Sequence, residues 1–397
     1  MKKALLYFGL LLLSFSLLTA CGPSLEKSST ESSNNSSDSE KYFVIGQATS
    51  LSGGTASYGE GAKRGIELAV KEFNAAGGYN GVKAKYIAYD DETKPEKNME
   101  LIQRLVSQDK AVALLGSANS GNGLAHIEYL QKNKIAEVFP YGTATAITTK
   151  FKNEAKNYVF RIAPFDQGQV TTILDWLYKK NGFTKVGLLH DTSGYGQGGK
   201  TDVLAQLKER NIKPTAVESF QIGDNNMESQ LSKMKKANIE AIIVYGLAPE
   251  MAQVLKSAEK IDYKPKFIGS WAFGDPAFKN IAGDLVNNDV YFVQSFTVDQ
   301  NEKTKEFHNK VVNEYKEDMY PIATAQGYDA ANIVLSAIKK VGYKDTEKVR
   351  DAIEELNDFN AVTTAPSKPF TKDNHEALQP EHMFIATYKD GQIVIAK

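Results

Sequence analysis

From Lys41 to Gln294, short apolar runs alternate with amphipathic segments of helical period, and this alternation restricts the chain to an α/β architecture. Phe43 to Ala48 is the first run. Ile66, Ala69, Val70 and Phe73 then recur at i, i+3, i+4 and i+7, the spacing of one helix face. Val82, Ala84, Tyr86 and Ala88 alternate as a second strand that ends at Asp90-Asp91. Pro95 suits the first position of the next helix, whose inner face is Leu101, Ile102, Leu105 and Val106. Strictly alternating elements with short connections predict a doubly wound, mainly parallel sheet. Past a crossing point at Tyr158 to Pro164 the pattern resumes. A helix presents Val170, Ile173, Leu174 and Leu177, and strands follow at Val186 to His190, Ala216 to Phe220, Ala241 to Tyr245 and Phe267 to Gly269. This is material for a second sheet of similar build, and a chain of 397 residues is long enough for two domains.

The last part breaks the alternation. Glu302 to Tyr315, Ala323 to Lys340 and Glu347 to Leu356 read as three helices with little strand between them. Both faces of a parallel sheet must be buried, so these helices are expected to cover a lobe that lacks them. Met383 to Lys389 and Gln392 to Ile395, around Asp390-Gly391, predict a hairpin whose partner lobe the pattern leaves open.

The beginning reads as an address and not a fold. Lys2 and Lys3 precede an apolar run from Ala4 to Leu18, and Leu18-Thr19-Ala20-Cys21 follows, the layout of a secretory signal. The chain's one cysteine sits at that cut, which resembles the bacterial lipoprotein lipobox and implies lipidation of Cys21. An uncleaved anchor is the alternative. Either places the rest of the chain outside the cytoplasmic membrane, on the cell surface or in a periplasm. One cysteine allows no internal disulfide, so stability must come from core burial. Ser24 to Glu40 is Ser- and Asn-rich with almost nothing apolar, and is expected to be a flexible tether over about residues 22–40. A formal net charge of −1 without a basic cluster argues against nucleic acid as a partner. No later apolar run is long enough to span a bilayer, which predicts a soluble, anchored body.

Within the first lobe, Ala111 to Thr145 carries the strongest chemistry. The apolar run Val112 to Leu115 stops at Gly116 and gives way to Ser117, Ala118, Asn119, Ser120, Gly121, Asn122 and Gly123. A helix through Leu124, Ile127 and Leu130 leads to a second strand, Ile135 to Phe139, and a second hydroxyl-bearing loop, Tyr141-Gly142-Thr143-Ala144-Thr145. Two such loops share the rim at the carboxyl ends of parallel strands. There helix N-termini leave backbone N–H groups unpaired and the helix dipole favours an anion. Small residues admit close backbone approach, and Ser120 and Thr143 add hydroxyl donors. The pair reads as half of a site for a small carboxylate; ordinary turns with N-cap serines are the alternative.

The order of motifs supports a family assignment. IGQATSLSGGTASYGEGAKRGIELAVKEFNAAGG, YDDETKP, LLGSANSGNG, FPYGTAT, LLHDTSGYGQG, PEMAQVLK, FIGSW, NIAGD and AQGYDAANIV together resemble the leucine/isoleucine/valine-binding proteins, type I solute-binding proteins of bacterial ABC importers. The resemblance covers nearly all of the chain from Lys41. It implies two Rossmann-like lobes joined by three crossovers, near Ile162 to Asp166, Val293 to Thr297 and Pro366 to Lys372. Lobe 1 would then comprise residues 41–163 and about 296–368, and lobe 2 residues 164–295 and about 369–397. A ligand would lie between lobes that close on it, and the closed form would dock on a permease driven by an ATPase. No cofactor is implied, and the protein would not be an enzyme; with no long heptad or large exposed apolar stripe, a monomer is expected.

The same resemblance carries over site residues. Ser120, with the backbone around Ala118 and Asn119, matches the family's first grip on a carboxylate, and Thr143, with Tyr141 and Gly142, the second. Tyr58 matches an aromatic at the mouth, Tyr195 a second-lobe aromatic that closes over the ligand, and Tyr328 an aromatic at the cleft edge. One departure bears on the ligand. Amino-acid binders of this family usually place an acid after the Phe-Ile-Gly strand to neutralise the ammonium; here the strand runs FIGSWAFGDP, with Trp271 at that place. A buried ammonium without counter-charge is costly. Either another acid serves, Asp275 and Asp329 being the nearest by sequence, with capping or bracing the alternative role for Asp329 beside Tyr328 on a helix, or the ligand lacks an amine. Leu247, where several relatives carry a polar aromatic, makes the second-lobe wall more apolar. Branched-chain or other hydrophobic amino acids are the family expectation, and an amine-free aromatic or branched carboxylate is the alternative.

Two rival classes stand beside this reading. Gly194-Tyr195-Gly196-Gln197-Gly198-Gly199 fits G-x-G-x-x-G after a strand, with Glu218 about twenty residues on, as in a dinucleotide site. Asp191-Thr192-Ser193, however, separate the first glycine from the strand, where the fingerprint turn would follow directly. His126, His190, His308, His375 and His382 show no ligand spacing, and neither G-x-S-x-G nor H-E-x-x-H occurs. A receptor that presents its ligand to a sensor is the other rival.

Overall fold

The computed structural model describes residues 42–396. The expected signal, Cys21 and the tether lie outside these residues. Two α/β sheets organise the chain. The first contains β1 (Tyr42–Thr49), β2 (Lys83–Asp90), β3 (Ala111–Leu115), β4 (Glu137–Phe139) and β5 (Val159–Arg161) in the order β2-β1-β3-β4-β5, with every pairing parallel. In the second, β6 (Val186–Asp191), β7 (Ala216–Phe220), β8 (Ala241–Tyr245), β9 (Lys266–Gly269) and β10 (Val290–Gln294) take the same winding, β7-β6-β8-β9-β10, again parallel. The hairpin β11 (Phe384–Lys389) and β12 (Gln392–Ile395) joins antiparallel to β10, so it extends the second sheet. In both sheets the winding reverses between the first strand and the third, which puts a ligand crevice at their carboxyl ends.

The three late helices, Glu302–Tyr315, Pro321–Val341 and Thr346–Glu354, cover the first sheet. Their apolar residues Phe307, Val311, Ile333, Val334, Ile338, Val349 and Ile353 join the core built on Phe43, Ile45, Ala113 and Leu115. Helix Pro321–Val341 lies directly on helix Ala56–Ala75, and glycines permit the approach. A Cβ on Gly65 would stand 2.0 Å from Thr324 O, and one on Gly327 2.4 Å from Ala62 O.

Residues of the two cores mark where the chain crosses between lobes. Ile162 belongs to the first core and Val170 to the second; Val293 belongs to the second and Phe296 to the first. Along the third connection, Ala365 packs against both cores, Phe370 and Ala377 pack in the first, and Leu378 packs in the second. Residues 369–377 therefore pack with the first lobe. The physical reason is an added edge: Glu376 forms a parallel bridge beside Arg161 of β5, and Arg161 N donates to His375 O at 2.9 Å. Among the described residues no helix is long and apolar enough to cross a membrane.

Candidate functional site

The carboxyl ends of the two sheets face one another across a narrow cavity with free space of about 20 Å³, so the two walls are closed on each other. The first lobe lines it with Thr55, Tyr58, Ala118, Asn119, Ser120, Gly142 and Thr143. The second supplies Tyr195, Leu247, Ala248, Trp271 and Ala272.

Local chemistry shapes the first wall. Asn119 caps helix Ser120–Asn133, its Oδ1 accepting from Asn122 N at 3.0 Å, and the helix begins beside the cavity with its first N–H groups outside the intrahelical ladder. Ser120 Oγ accepts from Ala144 N at 3.0 Å, which ties the two rim loops together and leaves the serine proton available to a ligand. The second loop turns at Gly142 with φ of 75°, a conformation that favours glycine. Its carbonyls are engaged on the protein side. Gly142 O and Ala144 O each accept from Arg161 Nη1 at 2.8 Å, and Thr143 O accepts from Asp166 N at 2.8 Å. Arg161 is completely buried and is held in turn by Glu376, with Nε donating to Oε2 at 2.8 Å and Nη2 to Oε1; Nη2 also reaches Thr148 Oγ1 at 3.1 Å.

The second wall is hung on Asp191. Its Oδ1 accepts from Ser193 N at 2.9 Å and Ser193 Oγ at 2.6 Å, and its Oδ2 from Leu247 N at 2.7 Å, so one carboxylate positions both loops at the ends of β6 and β8. Burial pushes this carboxyl up from its usual range, against the hydrogen bonds from Ser193 and Leu247. Ser193 Oγ accepts from Gly196 N at 3.1 Å, capping helix Gly194–Glu209, and Tyr195 donates its hydroxyl to Ser270 Oγ. Trp271 opens a 3₁₀ turn, with its N–H donated to Gln169 Oε1 at 2.9 Å. Across the cavity the Trp271 and Tyr58 rings lie 5.1 Å apart.

Three contacts bind lobe to lobe around this cavity. Ser57 Oγ meets Asp275 at 2.7 Å, Thr145 Oγ1 donates to Asp202 Oδ2 at 2.7 Å, and a Cβ on Gly194 would stand 3.0 Å from Gly121 Cα. The glycine-rich run that resembled a dinucleotide loop thus serves packing. A Cβ on Gly196 would fall 2.1 Å from Asp191 Oδ1, and one on Gly199 2.0 Å from the Tyr245 ring.

Four of the expected site residues do not line the cavity. Tyr141 is wholly buried behind Tyr58, ring centroids 5.9 Å apart. Tyr328 follows Gly327, which faces Ala62, so the next helical step carries it to the outer side; there its hydroxyl donates to Glu72 Oε2 at 2.6 Å and its ring packs on Phe307. Asp329 braces a loop, accepting from Val362 N and Thr363 N at 2.9 Å each, and burial pushes its carboxyl up to about 6. Asp275 caps helix Pro276–Ala282 through Ala277 N at 2.7 Å besides holding Ser57; burial lifts it to about 6 as well.

Sequence reasoning missed Thr55, Ala248 and Ala272 in the lining, and Arg161, Glu376 and Asp166 behind it. Arg161 did leave a signal, since a lone cation inside the apolar run Tyr158 to Ala163 requires a partner once buried. Asp166 is buried, with Oδ2 lacking a hydrogen-bond partner, and burial pushes its carboxyl up to about 8, with Thr143 partly offsetting this. Among the described residues no group of His, Cys, Asp and Glu could hold a metal ion.

The sequence pattern of the periplasmic binding protein family matches residues 43–392. The chain is 26% identical over 327 residues to the leucine-, isoleucine-, valine-, threonine- and alanine-binding protein of Pseudomonas aeruginosa, covering 82% of this chain and 84% of that one. It is 25% identical over 325 residues to Leu/Ile/Val-binding protein homolog 1 of Brucella abortus, covering 80% and 84%. Among solved structures, a type 1 periplasmic binding protein from Bordetella pertussis superposes with a TM-score of 0.81 at 26% identity, over 90% of this chain and all of that one. The branched-chain amino acid transporter substrate binding protein of Streptococcus pneumoniae, solved with isoleucine, gives 0.74 at 25% identity over 89% and 98%. With two parallel sheets wound alike, a cavity at their facing strand ends and this family pattern along the chain, the protein belongs to the periplasmic binding protein family, exported solute binders and not enzymes.

Proposed function

We propose that this protein captures a small carboxylate with an apolar body between its lobes and delivers it to the permease and ATPase of an ABC importer, tethered to the outer side of the cytoplasmic membrane through Cys21. The observation that carries the reading is the pairing of two rim loops. Ser120, at a helix N-terminus, and Thr143, on a loop whose carbonyls are engaged elsewhere, lie across from Tyr195, Leu247 and Trp271. N–H groups, hydroxyls and the helix dipole suit an anion, and the second wall suits hydrocarbon. Relatives named for leucine, isoleucine and valine, one of them solved with isoleucine, support a hydrophobic carboxylate as the solute class. Lobe 1 comprises residues 42–163 with about 296–377, and lobe 2 residues 164–295 with about 378–396.

The test removes the grip. Each hydrogen bond to a carboxylate contributes about 1.5–3 kcal/mol, so Ser120→Ala with Thr143→Ala should weaken binding of the co-purified solute roughly a hundredfold or more in calorimetry. Unchanged affinity in the folded double variant refutes the placement of the site.

A further inference from the structure

We propose that the solute is an amine-free acid, a carboxylate on a branched or aromatic body, and not an α-amino acid; this rests on the carboxylate reading above. The ammonium of an α-amino acid is attached to the carbon beside the carboxylate, so it must enter the same part of the cavity as the acid group. That part favours negative charge. It presents the start of helix Ser120–Asn133, the positive end of a dipole, together with the Ser120 and Thr143 hydroxyls. Three successive carbonyls that could have received an ammonium, those of Gly142, Thr143 and Ala144, instead accept from Arg161 and Asp166 N.

Counter-charge is lacking in the same place. No Asp or Glu side chain is among the lining residues. The nearby carboxylates are committed elsewhere: buried Asp275 to Ser57 and Ala277 N, buried Asp191 to Ser193 and Leu247 N, and half-buried Asp202 to Thr145. Asp166 has an oxygen without a hydrogen-bond partner, but it is not among the lining residues. An ammonium would be desolvated beside N–H donors with no anion to pair it, whereas a bare carboxylate meets only complementary groups.

Matched pairs test this without any variant. The mature protein, freed of co-purified solute by unfolding and refolding, is titrated calorimetrically with leucine against 4-methylpentanoate, phenylalanine against 3-phenylpropanoate, and benzoate. The expected result is that at least one amine-free acid binds, tenfold or more tighter than its amino counterpart. Leucine or phenylalanine binding more tightly than its partner overturns the amine-free inference and leaves the carboxylate clamp standing. If none of the acids binds and the solute that mass spectrometry finds on the purified protein carries no acid group, both readings fall.

Discussion

The Ser57 hydroxyl on the first lobe lies 2.7 Å from both carboxylate oxygens of Asp275 on the second. Asp275 is completely buried in this arrangement, and Ser57 and Ala277 N supply its hydrogen bonds. The contact exists only while the lobes are together, so it belongs to the energetics of closure. A solute that touches both walls favours the closed state by its differential affinity, and interlobe bonds set how much affinity closure requires.

Ser57→Ala leaves the buried Asp275 with one fewer donor. A hydrogen bond to a charged group contributes about 1.5–3 kcal/mol, so affinity at pH 7.5 should fall by roughly tenfold or more while the melting temperature of solute-free protein stays nearly constant. Calorimetry and thermal melting check the two halves; equal affinity in the variant would remove this bond from closure.

Gly194→Val addresses closure from the other side. The added Cβ would stand 3.0 Å from Gly121 Cα on the facing lobe, where neither backbone can yield without separating the lobes. Weaker binding by about an order of magnitude is expected, with an enlarged radius of gyration in small-angle scattering at saturating solute. A variant that closes as fully as the parent would show that these helix starts do not meet.

Glu376→Gln keeps the shape and removes the anion that pairs with Arg161, a residue with no exposed surface. Loss of one partner from a buried pair typically costs about 3–5 kcal/mol. Chemical denaturation should record a loss of that order. Binding should also weaken, because Arg161 holds the Gly142 and Ala144 carbonyls of the rim loop. A stability change below about 1 kcal/mol would refute the pairing, since a surface ion pair contributes no more than that.

Asp166 gives a pH dependence with a definite sign. Burial raises its carboxyl from the model-compound value of 3.8 to about 8 in the folded protein. The folded state therefore holds this proton more tightly than the unfolded chain, and the associated stability is full below about pH 4 and is lost as pH rises through about 8. The melting temperature should decline from pH 5 to pH 8.5, and Asp166→Asn, neutral throughout, should flatten that decline. An identical slope in both proteins would mean that Asp166 is ionised in the fold.

Much of the architecture was legible because its signals are local. Ile66, Ala69, Val70 and Phe73 define a helix face by their spacing alone, Pro95 marks a helix start, and Asp390-Gly391 marks a hairpin. Ser120 and Thr143 were legible for the same reason: small hydroxyl residues just past apolar strands fall at the rim whatever the rest of the chain does. Tyr328 lies away from the cavity because the motif fixes its helix but not which side faces the cleft; that depends on Gly327 packing against Ala62, while Asp329 braces a loop, the alternative its place on the helix left open.

The sequence by itself determined a two-lobed α/β chain and two hydroxyl-bearing loops at one rim, since strand and helix periods and N-terminal caps are written within a few residues. Tertiary structure alone decided that Glu376 reaches Arg161 across 215 residues, that Phe370 and Ala377 pack in the first core, and that Asp275 meets Ser57 instead of the cavity. Those outcomes depend on which buried charge finds a partner when distant segments are packed together, and no local pattern records that choice.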